Sequence, residues 1–162
     1  REDEMLEKAS QVGINPAEET ISDGRLTVHF LVTGQQSNGS LAAFELTVAG
    51  SQQLRAPAHS HDHYEETMYG IEGVLTLTVD GQRHNVGPGQ ALCIPRGAIH
   101  RFDNLTEETA KVLCVVTPAA IGPEYFREAF AILGAGGPPD RQRLMDLMRR
   151  FGLTPAPQAP TS

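Results

Sequence analysis

Tryptophan is absent from this chain, cysteine occurs only twice, and aromatic residues make up 6% of the 162 positions. So few thiols exclude a small scaffold stapled by several disulfides. Cys93 and Cys114 both sit in apolar, strand-like segments, ALCIP and KVLCVV, and read as small buried hydrophobes rather than as a bridge or thiolate ligands. A reducing compartment fits that reading, so a cytoplasmic location is expected. Long hydrophobic runs are missing too: nothing approaches the roughly 20 apolar residues of a membrane-crossing helix. Basic charge is in short supply, with 13 Lys and Arg against 20 Asp and Glu for a net charge of −7. Apart from Arg149-Arg150 the cations are scattered, which excludes nucleic acid and anionic membrane surfaces as partners and leaves a small molecule as the expected ligand. What remains is ordinary globular material, 40% hydrophobic and 20% charged, enough to build the core of one compact domain. The chain opens at Arg1 rather than at a methionine, so its natural start is expected to lie elsewhere and no signal peptide is read from it.

Short β-branched and apolar segments recur at residues 26–32, 41–48, 68–79, 91–94, 100–103 and 110–116, each bounded by Gly, Pro, Asn or Ser. Asp80-Gly81 is a hairpin turn signal, and Gly87-Pro88-Gly89 breaks the chain again. Even spacing of this kind predicts an all-β sandwich or barrel. Beyond Pro118 the period becomes helical. Pro123 stands at a first-turn position, Phe126, Ala129, Phe130 and Leu133 form one stripe, and Gly134 stops it. Asp140 then opens a second helix whose Leu144, Leu147, Met148 and Phe151 share a face, ended by Gly152. Residues 1–24 are acidic and read as an arm with one short helix near 5–9, and residues 154–162, rich in Pro and Ala, read as a disordered tail.

Two stretches carry the chemistry. In HSHDHYEETMYGIEG, His59 and His61 are two apart, Glu66 follows five later and Gly73 seven after that. Period two places both histidines on one strand face. In GQALCIPRGAIHRFDN, Gly89, Pro95, Gly97, His100 and Asn104 are regularly placed, and the strand of His100 can bring a third imidazole to the same point. A divalent ion suits such a set of N and O donors. His61-Asp62-His63 is itself a His-x-His, so a register shifted by two is the competing assignment, with His63 otherwise a loop residue. His29 and His84 read as strand and hairpin histidines, and Glu65 as a solvated carboxylate on the opposite face.

These stretches resemble the two signature motifs of the cupin superfamily. Their pattern is Gly, five residues, His-x-His, three or four residues, Glu, six residues, Gly, and then Gly, five residues, Pro-x-Gly, two residues, His, three residues, Asn. The second motif matches throughout. In the first, eight residues separate Gly50 from His59 where the pattern has five, at a position that carries no ligand. The resemblance implies a double-stranded β-helix, or jelly roll, over residues 25–118 with a helical appendage at 119–153. It implies a mononuclear transition metal, Fe, Mn, Ni, Cu or Zn, on His59, His61, Glu66 and His100. It is similar in layout to small quercetin dioxygenase-like cupins, so the activity it implies is an Fe(II)- or Mn(II)-dependent oxygenase. A non-catalytic small-ligand binder and a metal-dependent isomerase or decarboxylase stay open beside it. Phe102, in register with His100, and Met68, in register with Glu66, are expected to line the substrate pocket. Open jelly-roll edges predict a homodimer.

Overall fold

The computed structural model describes residues 19–54 and 56–157. The expected helix near 5–9 lies outside them. Among the described residues the elements run β1 (Glu19–Ser22), β2 (Leu26–Val32), β3 (Ala42–Val48), β4 (Gln52–Gln53), β5 (His59–His61), β6 (Glu65–Glu72), β7 (Leu75–Val79), β8 (Gln82–Val86), β9 (Ala91–Ile94), β10 (His100–Asn104), β11 (Ala110–Thr117), α1 (Pro123–Leu133), α2 (Arg141–Arg150) and β12 (Leu153–Pro155). They pair antiparallel into two sheets, one in the order β1-β2-β3-β11-β6-β9 and the other β12-β5-β10-β7-β8, with β4 beside β10. This is the expected all-β jelly roll with C-terminal helices.

Alternation decides what lies between the sheets. Val28, Phe30, Phe44, Leu46, Val112 and Cys114 point inward from the first sheet, Leu75 and Leu77 from the second, and all are buried. Phe30 and Phe44 meet at 5.0 Å between ring centroids, and Phe126 of α1 packs edge-on against Phe44 at 5.4 Å. The first helix is thereby anchored to the barrel by aromatic contact. Its stripe is the expected one, broadened by Tyr125 and Ile132, and Gly134 ends it by donating its N–H to Phe130 O. Asp140 caps α2 by accepting from Arg143 N at 3.1 Å. Asp80 and Gly81 both adopt positive φ, as a tight two-residue hairpin requires, and Val79 pairs Gln82 across it.

Several expectations change. Residues 68–79 are two strands in different sheets, because the chain turns at Gly73. Its φ is +62°, and a Cβ there would stand 2.2 Å from Thr109 O, so only glycine lets the chain cross from β6 to β7. Residues 19–22, assigned to the arm, form β1 against β2; their single apolar residue, Ile21, gives too little alternation to see. Thr154 and Pro155, assigned to a disordered tail, belong to β12 and pair with β5. Cys93 is exposed, because β9 is an edge strand whose inward positions are Leu92 and Ile94. Cys114 is buried as expected.

Asn104 explains the last position of the second motif. Fully buried, its amide donates to Val48 O at 3.1 Å and Glu108 O at 2.7 Å, and its carbonyl accepts from Thr106 N and Thr106 Oγ1. One side chain thus ties the turn after β10 to the end of β3. Asn104→Ala is expected to cost about 2–4 kcal/mol, since orphaned buried partners lose ~1–3 kcal/mol each. Urea unfolding reads this directly, and a loss under ~1 kcal/mol would contradict the role.

Candidate metal centre

Two-residue periodicity and one register place the histidines. In β5, His59 and His61 flank Ser60 and turn to the same side; β10 pairs His100 opposite His59 and, on its other edge, opposite Val79. The result is a cluster in which one ring nitrogen from each of His59, His61 and His100 lies within 4.8 Å of the others. Ring centroids are 5.3 Å apart for His59 and His61, 4.7 Å for His59 and His100, and 4.5 Å for His61 and His100. His63 is exposed and takes no part in the group, so the shifted register is not the one that the fold assembles.

Glu66 arrives from the opposite sheet. Its carboxylate Oε2 is 3.6 Å from His61 Nε2 and 3.8 Å from His100 Nε2, and it is buried. Cys114 on the neighbouring β11 hydrogen-bonds to it. Glu65, one residue earlier, instead pairs with Arg96 at 2.6 Å on the surface.

Backbone carbonyls orient two of the rings. His59 Nδ1 donates to Pro57 O and His100 Nδ1 to Ala98 O, both at 2.9 Å. A carbonyl can only accept, so the proton sits on Nδ1 and the lone pair of Nε2 is left free in each ring. His100 Nε2 and His61 Nδ1 are fully buried with no hydrogen-bond partner. An unsatisfied buried nitrogen is costly, and at His100 Nε2, 3.8 Å from Glu66 Oε2, a cation is the partner its lone pair fits; at His61 the nitrogen near Glu66 is Nε2, so its orphaned Nδ1 is not the atom that a shared ion would meet. Burial also keeps the rings neutral: it lowers His59 to about 4, with the nearby His100 adding to the effect, and lowers His61 to about 2 for the same reasons. His100 is likewise lowered by burial. Burial raises Glu66 to about 7, an effect only partly offset by its hydrogen bond with Cys114. Neutral imidazoles and an ionisable carboxyl at one point are the donors a transition metal needs.

Two tyrosines complete the site, and neither was visible in the sequence. Tyr64 stacks on His61 with ring centroids 4.4 Å apart and planes 19° apart, and its hydroxyl donates to Phe151 O. Tyr125 of α1 reaches the same cavity, its phenol held far above the usual range by burial and then by the Glu66 carboxylate. A pattern search for ligands does not find Tyr125, since it lies 25 residues after His100 on another element. The cavity it shares with His59, His61 and Glu66 measures about 90 Å³. Its other walls are largely apolar, among them Phe44, Leu54, Phe102, Ile121 and Phe126. Phe102 lies at the cavity wall. Met68 is fully buried in the core and is not among the lining residues.

Two facing sheets with three histidines grouped so that they could hold a metal ion define a jelly roll of the double-stranded β-helix class. Residues 46–116 match the Cupin domain family. That match, together with the cupin folds among the similar structures, supports a member of the cupin superfamily. It is 30% identical over 105 residues to a quercetin 2,3-dioxygenase of Bacillus subtilis, a match covering 60% of this chain and 31% of that protein. It is 35% identical over 69 residues to the polyketide synthase CurC of Streptomyces cyaneus, covering 43% and 45% of the two chains. The matched stretches thus span less than half the length of these curated relatives. Among solved structures, the polyketide cyclase RemF from Streptomyces resistomycificus superposes with a TM-score of 0.53 at 24% identity, covering 72% of this chain and 92% of that one, a likeness of fold. No helix among the described residues is long and apolar enough to cross a membrane.

The titrations give a prediction for the metal-free protein. A depressed imidazole contributes stability that is present above its unfolded value of 6.5 and is lost as pH falls. Glu66 acts oppositely: raised to about 7, it favours the folded state as pH drops from 7 toward 4.5. Three imidazoles outweigh one carboxyl. In the presence of chelator the melting temperature should therefore fall between pH 7 and pH 5; a flat or rising profile would show that the rings are not buried neutral.

Proposed function

We propose that this chain is a mononuclear metal-dependent cupin enzyme, with His59, His61, Glu66 and His100 holding Fe(II) or Mn(II), that oxygenates a small organic substrate. The observation that carries the reading is a mostly apolar cavity that ends at His59, His61 and the Glu66 carboxyl, with His100 completing the imidazole cluster behind it and its buried Nε2 left without a partner. When bound, the ion supplies a Lewis acid and, for iron or manganese, a redox centre. The chain supplies the rest. Pro57 O and Ala98 O fix the tautomers of His59 and His100. Phe102 and Phe126 keep water from the cavity, and the Tyr125 Oη holds a proton that it can donate to an oxygen of the substrate. Likeness to a quercetin 2,3-dioxygenase supports oxygenation, while the short coverage leaves that protein's substrate out of the assignment.

A metal-dependent isomerase or decarboxylase is the second reading, and Tyr125 favours it, because both reactions need a placed acid beside a polarised carbonyl. A homodimer belongs to the proposal as well. Tyr69 and Ile71 of β6 are 46% and 42% exposed, apolar surface that a second copy would cover, and light scattering should give twice the monomer mass.

Elemental analysis tests the ligand set. His59→Ala, His61→Ala, Glu66→Ala and His100→Ala should each weaken metal binding by more than the ~10–100-fold lost when a partner behind a ligand is removed, while His63→Ala keeps about one equivalent. Retention of metal by His59→Ala together with its loss from His63→Ala would refute the register.

Oxygen uptake tests the reaction. Protein loaded anaerobically with Fe(II) should consume oxygen with a flavonol, catechol or thiol, and Phe102→Ala should change rate or preference with metal content intact. Deuterium incorporation from heavy water without oxygen uptake, abolished in Tyr125→Phe, would select the second reading. A bound metal with neither chemistry would leave a ligand-binding module.

A further inference from the structure

The inner cavity is too small to hold a whole substrate. At about 90 Å³ it is smaller than the ~150 Å³ of an apolar cavity that takes one benzene-sized ligand. It continues, however, into an outer cleft of about 890 Å³, within the ~300–1,000 Å³ of small-molecule sites. The two spaces share Leu54, Ala56, Pro57, Arg101, Leu133 and Leu144 as walls. Only the end of a ligand can reach the imidazoles, and its body lies in the outer cleft.

What the outer cleft offers that body is one sign of charge. Its described lining contains Arg101, Arg141 and Arg149 and no Asp or Glu, in a chain whose net charge is −7. Arg101 stands at the junction. Its Nε and Nη2 donate to Asp103 at 3.1 and 2.8 Å, and Nη2 also to Leu54 O at 3.3 Å, which fixes the guanidinium plane. Nη1 carries the remaining two N–H groups. Arg149 meets Asp146 at 3.4 Å, with both side chains more than half exposed, a pairing too weak to hold the guanidinium from a better partner. Leu133, Leu144, Met145 and Pro139 supply apolar wall between the arginines.

We infer that the outer cleft is an anion-binding subsite: the ligand is an organic acid or phosphate ester whose charged group is held by Arg101, Arg141 and Arg149 while its opposite end enters the histidine cavity. The inference rests on the metal-dependent reading for what happens at that far end, and on the cleft alone for the choice of an anion. Guanidinium forks suit carboxylate and phosphate equally, so the two sources share one chemistry here.

The test uses hexanoate, its uncharged amide and pentyl phosphate, whose slim alkyl end suits a cavity of about 90 Å³, titrated calorimetrically into Zn(II)-loaded and metal-free protein. The proteins are wild type, Arg101→Gln and the double variant Arg141→Gln/Arg149→Gln, each with its zinc content measured. Both anions should bind at least ~tenfold more tightly than the amide, as one charge-assisted hydrogen bond would give. That preference should persist without zinc, shrink in Arg101→Gln and vanish in the double variant. The order of the two anions identifies carboxylate or phosphate as the native group. A preference that needs zinc and survives in the arginine variants would place the anion on the metal; the cleft assignment then falls while the metal reading stands. Preference retained by protein that takes up no zinc upholds the cleft and removes the metal reading. Equal binding of acid and amide, or no binding of the acid at millimolar concentration, overturns the inference.

Discussion

The register between β5 and β10 is the constraint from which the site follows. His100 pairs opposite His59, and because side chains alternate along a strand, a slip of one residue would turn an imidazole out of the barrel and disperse the cluster. That register is held from several directions. Asn104 ties the far end of β10 to β3, β7 lies along its other edge, and Gly97 N–H donates to His61 O at 3.0 Å, which joins the loop before β10 directly to the histidine strand. Glu66, coming from the other sheet, can meet the histidines only if the two sheets face each other in the observed alignment. The packed aromatic core, with Phe30, Phe44 and Phe126 in mutual contact, maintains that alignment.

Electrostatics and packing pull against each other at this point. Water is removed from three imidazoles and a carboxyl, which keeps the rings neutral and pushes the acid toward protonation, and the carbonyls behind His59 and His100 leave their lone pairs facing one another. Without an ion such a cluster is a local liability, since unsatisfied buried nitrogens oppose folding. The surrounding barrel tolerates it because the remainder of the interior is apolar and well satisfied.

Much of this was legible in advance, for physical reasons that also explain the gaps. Histidine spacing reported on strand periodicity, and Gly73 and Asn104 reported on a sheet crossing and a buried amide network, so the motifs encode backbone geometry as much as ligands. Strands with sustained alternation, such as β2, β9 and β11, were readable to within a residue. Strands too short to establish a period were harder: β5, of three residues, showed only through its histidine pair, while β4, of two residues, and β12, in a Pro- and Ala-rich stretch, did not show at all. Cys93 was misjudged because apolar neighbours mark a strand without saying whether it lies at an edge. Tyr64 and Tyr125 were invisible as site residues, because their roles depend on tertiary approach and not on spacing from the histidines. Met68 has the right face but lies deeper than the cavity.

The smallest strands carry a consequence beyond architecture. β5 has only three residues, and its outer edge is covered by β12, with Asp62 N–H donating to Gly152 O, Ala156 N–H to Ala58 O, and Thr154 Oγ1 to Asp62. Tyr64, stacked on His61, hangs from Phe151 O at the end of the same segment. The stretch after α2 is therefore a clasp closed over the histidine strand from behind, and it also forms part of the rim of the arginine cleft through Pro155, Ala156 and Pro157. A single strip of backbone touches both the back of the histidine strand and the wall of the entrance, so whatever presses on the entrance is felt one hydrogen-bonded strand away from the imidazoles.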